Sequence, residues 1–174
     1  MATIYEPKYA ANIGVGWGAS NASLNALASS STRTAGAQSD QVDNSSNLYD
    51  DMLISGSFKL GTSPTAGKQV DVWIFACKDA GSAYPDVITG AGTAAKTLTS
   101  ENVRNAGGKL LKSIQVDSTT GRVYDFSNES VAALFGGVLP QKFVIFVAHD
   151  TGVALDASSS GGQMNMLGVQ WQGV

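Results

Sequence analysis

His149 is the only histidine of this 174-residue chain and Cys77 its only cysteine. Acid–base or thiol chemistry would have to be built around one of them. Asp150 follows His149, but adjacent residues on a strand point to opposite faces, so the two do not form a dyad by position. No Gly-x-Ser-x-Gly turn supplies a serine nucleophile for a Ser-His-Asp arrangement. His149 is expected to be a strand-end residue held by a structural hydrogen bond. Cys77 ends the apolar run Val72-Trp73-Ile74-Phe75-Ala76-Cys77 and is expected to be a small buried hydrophobe rather than a reactive thiol. Asp50-Asp51, Asp117 and Asp156 could act as acid–base pairs or Ca²⁺ ligands, but the spacing of a calcium-binding EF-hand loop is missing. These carboxylates are expected in solvated turns. A zinc site would need several carboxylates beside the single histidine and cysteine. No catalytic residue, cofactor or metal is therefore expected.

Gly61-Thr-Ser-Pro-Thr-Ala-Gly67-Lys68 imitates a phosphate-binding loop. Five residues rather than four separate the glycines, Gln69 stands where a Mg²⁺-binding hydroxyl is required, and a strand rather than a helix follows. The expected role is a β-hairpin connection.

Charged residues make up 14% of the chain, with a net charge of −3, against about 25% charged in ordinary soluble domains. A polar, uncharged surface of this kind is common among extracellular and virion proteins. No basic stripe exists to displace counterions from phosphate, so nucleic acid is not an expected partner. No run of 18 apolar residues is present, so no membrane span is expected. No basic segment precedes the uncharged stretch 9–32, so no secretory leader is expected either.

The texture changes near Asn47. Residues 1–46 are rich in Ser, Ala and Asn and read as an extended N-terminal arm. Tyr5, Tyr9, Ile13 and Trp17 are spaced by multiples of two, as an extended chain requires, and are its expected anchors on a partner or on the domain itself. Residues 47–174 read as one domain. Strands are expected over Met52–Leu60, Val70–Lys78, Lys109–Val116, Arg122–Phe126, Lys142–His149 and Gln163–Gln172. The Asp117–Gly121 turn would pair the third of these with the fourth. A short helix is expected from Ser100 to Gly107-Gly108, and one helical turn over Val131–Phe135. Short strands, Gly-rich turns and long loops predict an all-β antiparallel sandwich, jelly-roll-like rather than immunoglobulin-like. Trp73 and Trp171 fall on strands as core or interface residues; either, if exposed, would suit sugar stacking.

Three segments carry a resemblance: LYDDMLISGSFKLGTSPTAGKQVDVWIF, VDSTTGRVYDF and SVAALFGGVLPQKFVIFVAHDTGVAL. Together they resemble small virion structural proteins of tailed bacteriophages over roughly residues 48–160, in texture and word order. The resemblance implies a capsid decoration (cement) protein of jelly-roll type, assembling as a homotrimer on the outer capsid surface. Its partner would be the major capsid protein or another virion protein. It brings no catalytic residues. The alternative is a tail or fibre component binding carbohydrate or receptor through loops 79–108 and 150–162, with Tyr84 and Asp86 as loop contacts.

Overall fold

The structure, a computed structural model, describes residues 5–17, 24–92, 95–158 and 162–173. Eight strands form its frame: β1 (Tyr5–Tyr9), β3 (Ala35–Gln38), β5 (Asp51–Lys59), β6 (Gln69–Ala76), β8 (Lys109–Gln115), β9 (Val123–Ser130), β10 (Lys142–His149) and β11 (Gly162–Gly173). Three two-residue strands, β2 (Ile13–Gly14), β4 (Val42–Asp43) and β7 (Lys96–Thr97), and helices α1 (Glu101–Gly107) and α2 (Val131–Leu134) complete it.

The pairing is antiparallel and nested. β6 pairs with β8, β5 with β9, β3 with β10, and β1 with β11. Rolling this long hairpin gives one sheet ordered β1-β11-β5-β9 and another ordered β7-β3-β10-β6-β8, with β2 on β11 and β4 on β10. This is a jelly-roll sandwich.

The two continuous apolar runs have a direct explanation. Val70, Val72 and Ile74 of β6 face the core between the sheets with Phe143, Ile145 and Val147 of β10. The alternate residues, Trp73 and Phe75 with Val144, Phe146 and Ala148, form a second cluster with Tyr84, Ile88 and Leu98 from the 78–108 excursion. Both faces of these two central strands are covered, which calls for apolar residues in both alternating sets. Arg104 of α1 locks the cover down. Its guanidinium lies 4.7 Å over the Trp73 ring and donates to the carbonyls of Thr32 and Arg33 at 3.0 and 2.9 Å. The helix starts at Ser100, whose hydroxyl accepts from the Val103 N–H, as a capping serine should.

Three expectations differ from the structure. Asn47 does not separate an arm from a domain. β1 and β3, the first two jelly-roll strands, lie before it, and Val15, Trp17, Leu24, Leu27, Ala37 and Val42 belong to the central core. The 61–68 segment is not a hairpin turn, because β5 and β6 lie in different sheets. The Gly61 and Thr65 N–H groups donate to Ala154 and Thr151 carbonyls, so this loop spends donors on a neighbouring loop as it crosses the sandwich. The 116–122 turn is also a crossing: β9 pairs with β5, not with β8.

Candidate docking surface

The site grows from the register of β1 on β11. Tyr5, Pro7 and Tyr9 stand opposite Gly173, Trp171 and Val169, and directly opposed residues of an antiparallel pair share a face. Along β11, Met164 and Met166 point into the core, so Trp171, five residues beyond Met166, points outward. Tyr5, Tyr9 and Trp171 are 64%, 57% and 58% exposed. The strip Tyr5-Pro7-Tyr9-Trp171 therefore presents three aromatic rings and no charged residue on the outer face of an edge pair. Glu6 and Lys8, opposite Gln172 and Gln170, turn to the other side.

Pro7 shapes how this edge is used. The Ala10 N–H donates to the Gly168 carbonyl, so the N–H groups of residues 8 and 6 point toward β11, and the backbone nitrogens of residues 5, 7 and 9 point to the open edge. Proline has no N–H to offer there. A further strand laid on β1 would meet a missing donor at its centre. The edge is built for contact through its face.

A groove of about 600 Å³ lies beside Trp171, lined by Tyr49, Asp50 and Asp51 on one side and by the 130–139 segment on the other. The loop leading into β5 is braced by buried Asn44, whose side chain donates to the Tyr49 carbonyl and accepts from the Tyr49 N–H, both at 2.9 Å. The Asp50 carboxylate accepts from the Trp171 N–H at 2.8 Å. The Asp51 carboxylate accepts from the Met52 and Ala132 N–H groups and from the Ser130 hydroxyl. It thereby ties α2 to β5. Gly136 and Gly137, at φ +73° and +90°, turn the chain after α2 and leave Val138 71% exposed at the groove's rim. Left-handed backbone of this kind is what glycine permits.

The residues expected to make contacts separate into two groups. Tyr5 and Tyr9 lie on the surface. Trp17, 3% exposed, is a core residue and not a partner anchor, and Ile13 is half-buried against the same core. Tyr84 is 5% exposed, and its hydroxyl donates to Gln41; burial pushes its phenol well above the ordinary value. It is not a loop contact. Asp86 is exposed, but its carboxylate accepts from the Thr99 N–H and hydroxyl, which lowers its pKa and commits it to bracing the excursion. Trp73 belongs to the second cluster. The alternation of Met164 and Met166 is the sequence signal that places Trp171 outward.

The remaining candidates for chemistry make hydrogen bonds within the fold. His149 is fully buried, with Nε2 2.9 Å from the Leu27 carbonyl and Nδ1 2.9 Å from the Thr151 hydroxyl. A carbonyl only accepts, so Nε2 carries the proton. Desolvation holds the His149 pKa below 6.5, opposed by the Leu27 hydrogen bond and by Asp150. The unfolded chain then binds this proton more readily than the folded one, so stability rises with pH across the interval between the two values. The unfolding midpoint in urea is expected to fall as pH drops below about 6.5 and to stop responding to this group below its folded pKa. His149→Gln should abolish that slope, and an identical slope in the variant would assign it to other groups. Cys77 is half-buried, its Sγ 3.3 Å from both Asp79 Oδ1 and the Ala83 carbonyl. Asp156 accepts from the Ser158 hydroxyl and N–H and pairs with Lys59 at 3.1 Å, which together bring its pKa down to about 2. Among the described residues no three His, Cys, Asp or Glu side chains come together as a metal site.

No protein-family model matches this chain, and no curated protein sequence matches it.

Proposed function

We propose that the chain is a non-enzymatic structural protein of a phage virion. It would decorate the outer capsid surface and clamp neighbouring capsid subunits, attaching through the Tyr5–Tyr9–Trp171 strip. The observation that carries the attachment is the alignment of three exposed aromatic rings on one uncharged face beside a groove. Aromatic side chains of this kind dominate protein interfaces. The virion setting, the capsid partner and the trimeric state rest on the resemblance of residues 48–160. The acidic balance of the chain suits the outside of a shell better than a DNA-lined interior.

Deleting the N-terminal segment cannot test this, because Val15 and Trp17 lie in the core. Point substitutions can. Trp171→Ala should weaken binding to purified shells by about 2 kcal/mol, roughly thirtyfold, and Tyr5→Ala with Tyr9→Ala should weaken it further. The unfolding temperature should barely move, because all three side chains are more than half exposed. Unchanged binding in the triple variant would refute the strip, and a copy number of tens or fewer per particle would move the protein from shell to tail. Light scattering on the isolated protein reads the trimer directly.

A carbohydrate-binding tail or fibre component is the second reading. With Tyr84 buried, its stacking platform would be Trp171, and glycan binding lost in Trp171→Ala would favour it.

A further inference from the structure

We propose that the groove beside Trp171 receives a basic side chain of the partner protein, an arginine in preference to a lysine. The inference rests on the docking reading above and names what the docking face recognises.

The argument is charge complementarity. Two adjacent carboxylates, Asp50 and Asp51, line the groove, and no lysine or arginine is among its lining residues. Lys8, the nearest basic residue along β1, stands opposite Gln170 and lines an adjoining groove that Asp50 and Trp171 also border, so a single cation faces two carboxylates and the local balance stays negative. The two carboxylates play different parts. Asp51 uses both oxygens on Met52, Ala132 and Ser130, so it contributes charge while its geometry is fixed. Asp50 is exposed and commits Oδ2 to the Trp171 N–H. Its Oδ1 makes no hydrogen bond among the described residues and can accept from an incoming donor.

Trp171 supplies the other half of the site. A guanidinium stacks on an indole face and can donate at the same time from its edge to a carboxylate. This chain already makes such a pairing internally, with Arg104 over Trp73. Ala132, Ala133 and Val138 offer apolar surface along which the methylene stem of the incoming side chain can lie. An acidic partner would be repelled by the two carboxylates.

The test uses the full chain and defined probes. Backbone and indole N–H signals are followed by NMR during titration with N-acetyl-arginine amide, with its neutral isostere N-acetyl-citrulline amide, and with maltohexaose. The arginine probe should shift the Trp171 indole signal and the Asp50 and Gly137 amides. It should bind about tenfold more tightly than citrulline and lose that margin at high salt. Asp50→Asn keeps an acceptor for the Trp171 N–H and should erase the preference for arginine. Trp171→Ala should erase binding altogether. Equal responses to arginine and citrulline, no response at Trp171, or a stronger response to maltohexaose would each overturn the proposal. If shells require Trp171 while the probes do not discriminate, the docking face stands and the basic anchor falls. If the arginine probe binds and shells ignore Trp171, the anchor stands and the shell reading falls.

Discussion

Trp17→Ala should destabilise the protein by about 3–5 kcal/mol, the usual cost of truncating a buried aromatic side chain. For a chain of this size that is a fall in unfolding temperature of about 10 °C or more. Trp17 is 3% exposed and shares the central cluster with Leu24, Leu27 and Val42, all from the first 46 residues, and with strands from the rest of the chain. Removing the indole leaves a void in a cluster to which both sheets contribute, and a close-packed interior collapses only partly around such a void. Tyr5→Ala and Tyr9→Ala should change stability by no more than about 0.5 kcal/mol, as exposed positions do. Thermal or urea unfolding of the three variants decides between two roles for the N-terminal segment. A midpoint unmoved by Trp17→Ala would return Trp17 to the role of a free anchor.

Gly36→Ala should be destabilising by about 3 kcal/mol, at the upper end of what overpacking costs. Elsewhere in a strand the same change tends to help, because glycine loses more chain entropy on folding than alanine. At Gly36 the sign reverses. A Cβ there would lie 2.2 Å from the Val147 carbonyl oxygen, 2.6 Å from the Phe146 ring and 3.0 Å from the Ala148 Cβ. The first of these is backbone in β10, the strand paired with β3, and it cannot move without shifting the middle of the sheet. Gly14→Ala is the matched control, since a Cβ there meets nothing within 4 Å. It should be neutral or stabilising by up to about 1 kcal/mol. If the two variants unfold alike, β3 is not wedged against β10 as described.

These two residues also show where the sequence was legible and where it was not. β6 and β10 are readable because both faces of these central strands are buried, which favours unbroken apolar runs. Helix α1 was readable from Ser100 at its start and the glycine pair at its end. β3 was not: Ala35-Gly36-Ala37-Gln38 looks like loop composition, yet small residues are what a strand pressed against Val147 and Phe146 demands. Composition therefore separated two halves that packing joins. The crossings at 61–68 and 116–122 imitate hairpins because a Gly-rich turn looks the same whether the next strand returns to its neighbour or passes to the opposite sheet. The choice is made by long-range partners, here Ala154 and Thr151 for the first crossing. At the docking surface, Tyr5 and Tyr9 were found by their spacing. Trp171 stands out in the sequence, but its face follows only from its phase relative to Met164 and Met166. The burial of Tyr84 is illegible because nothing local in the sequence shows that the 78–108 excursion folds back over β6 and β10.

The outermost of the nested pairs joins Tyr5 to Gly173, and this sets the timetable of synthesis. β1 leaves the ribosome first and has no partner until β11 emerges, some 160 residues later. At ordinary elongation rates that is a wait of roughly 10–30 s. β3 waits about two thirds as long for β10. Only the innermost pair, β6 with β8, can close early. The nascent chain should accordingly be most exposed to chaperones and to misassembly just before β11 emerges, and an isolated N-terminal half should not fold. Protease protection of stalled nascent chains is expected to appear only once the whole of β11 has cleared the exit tunnel.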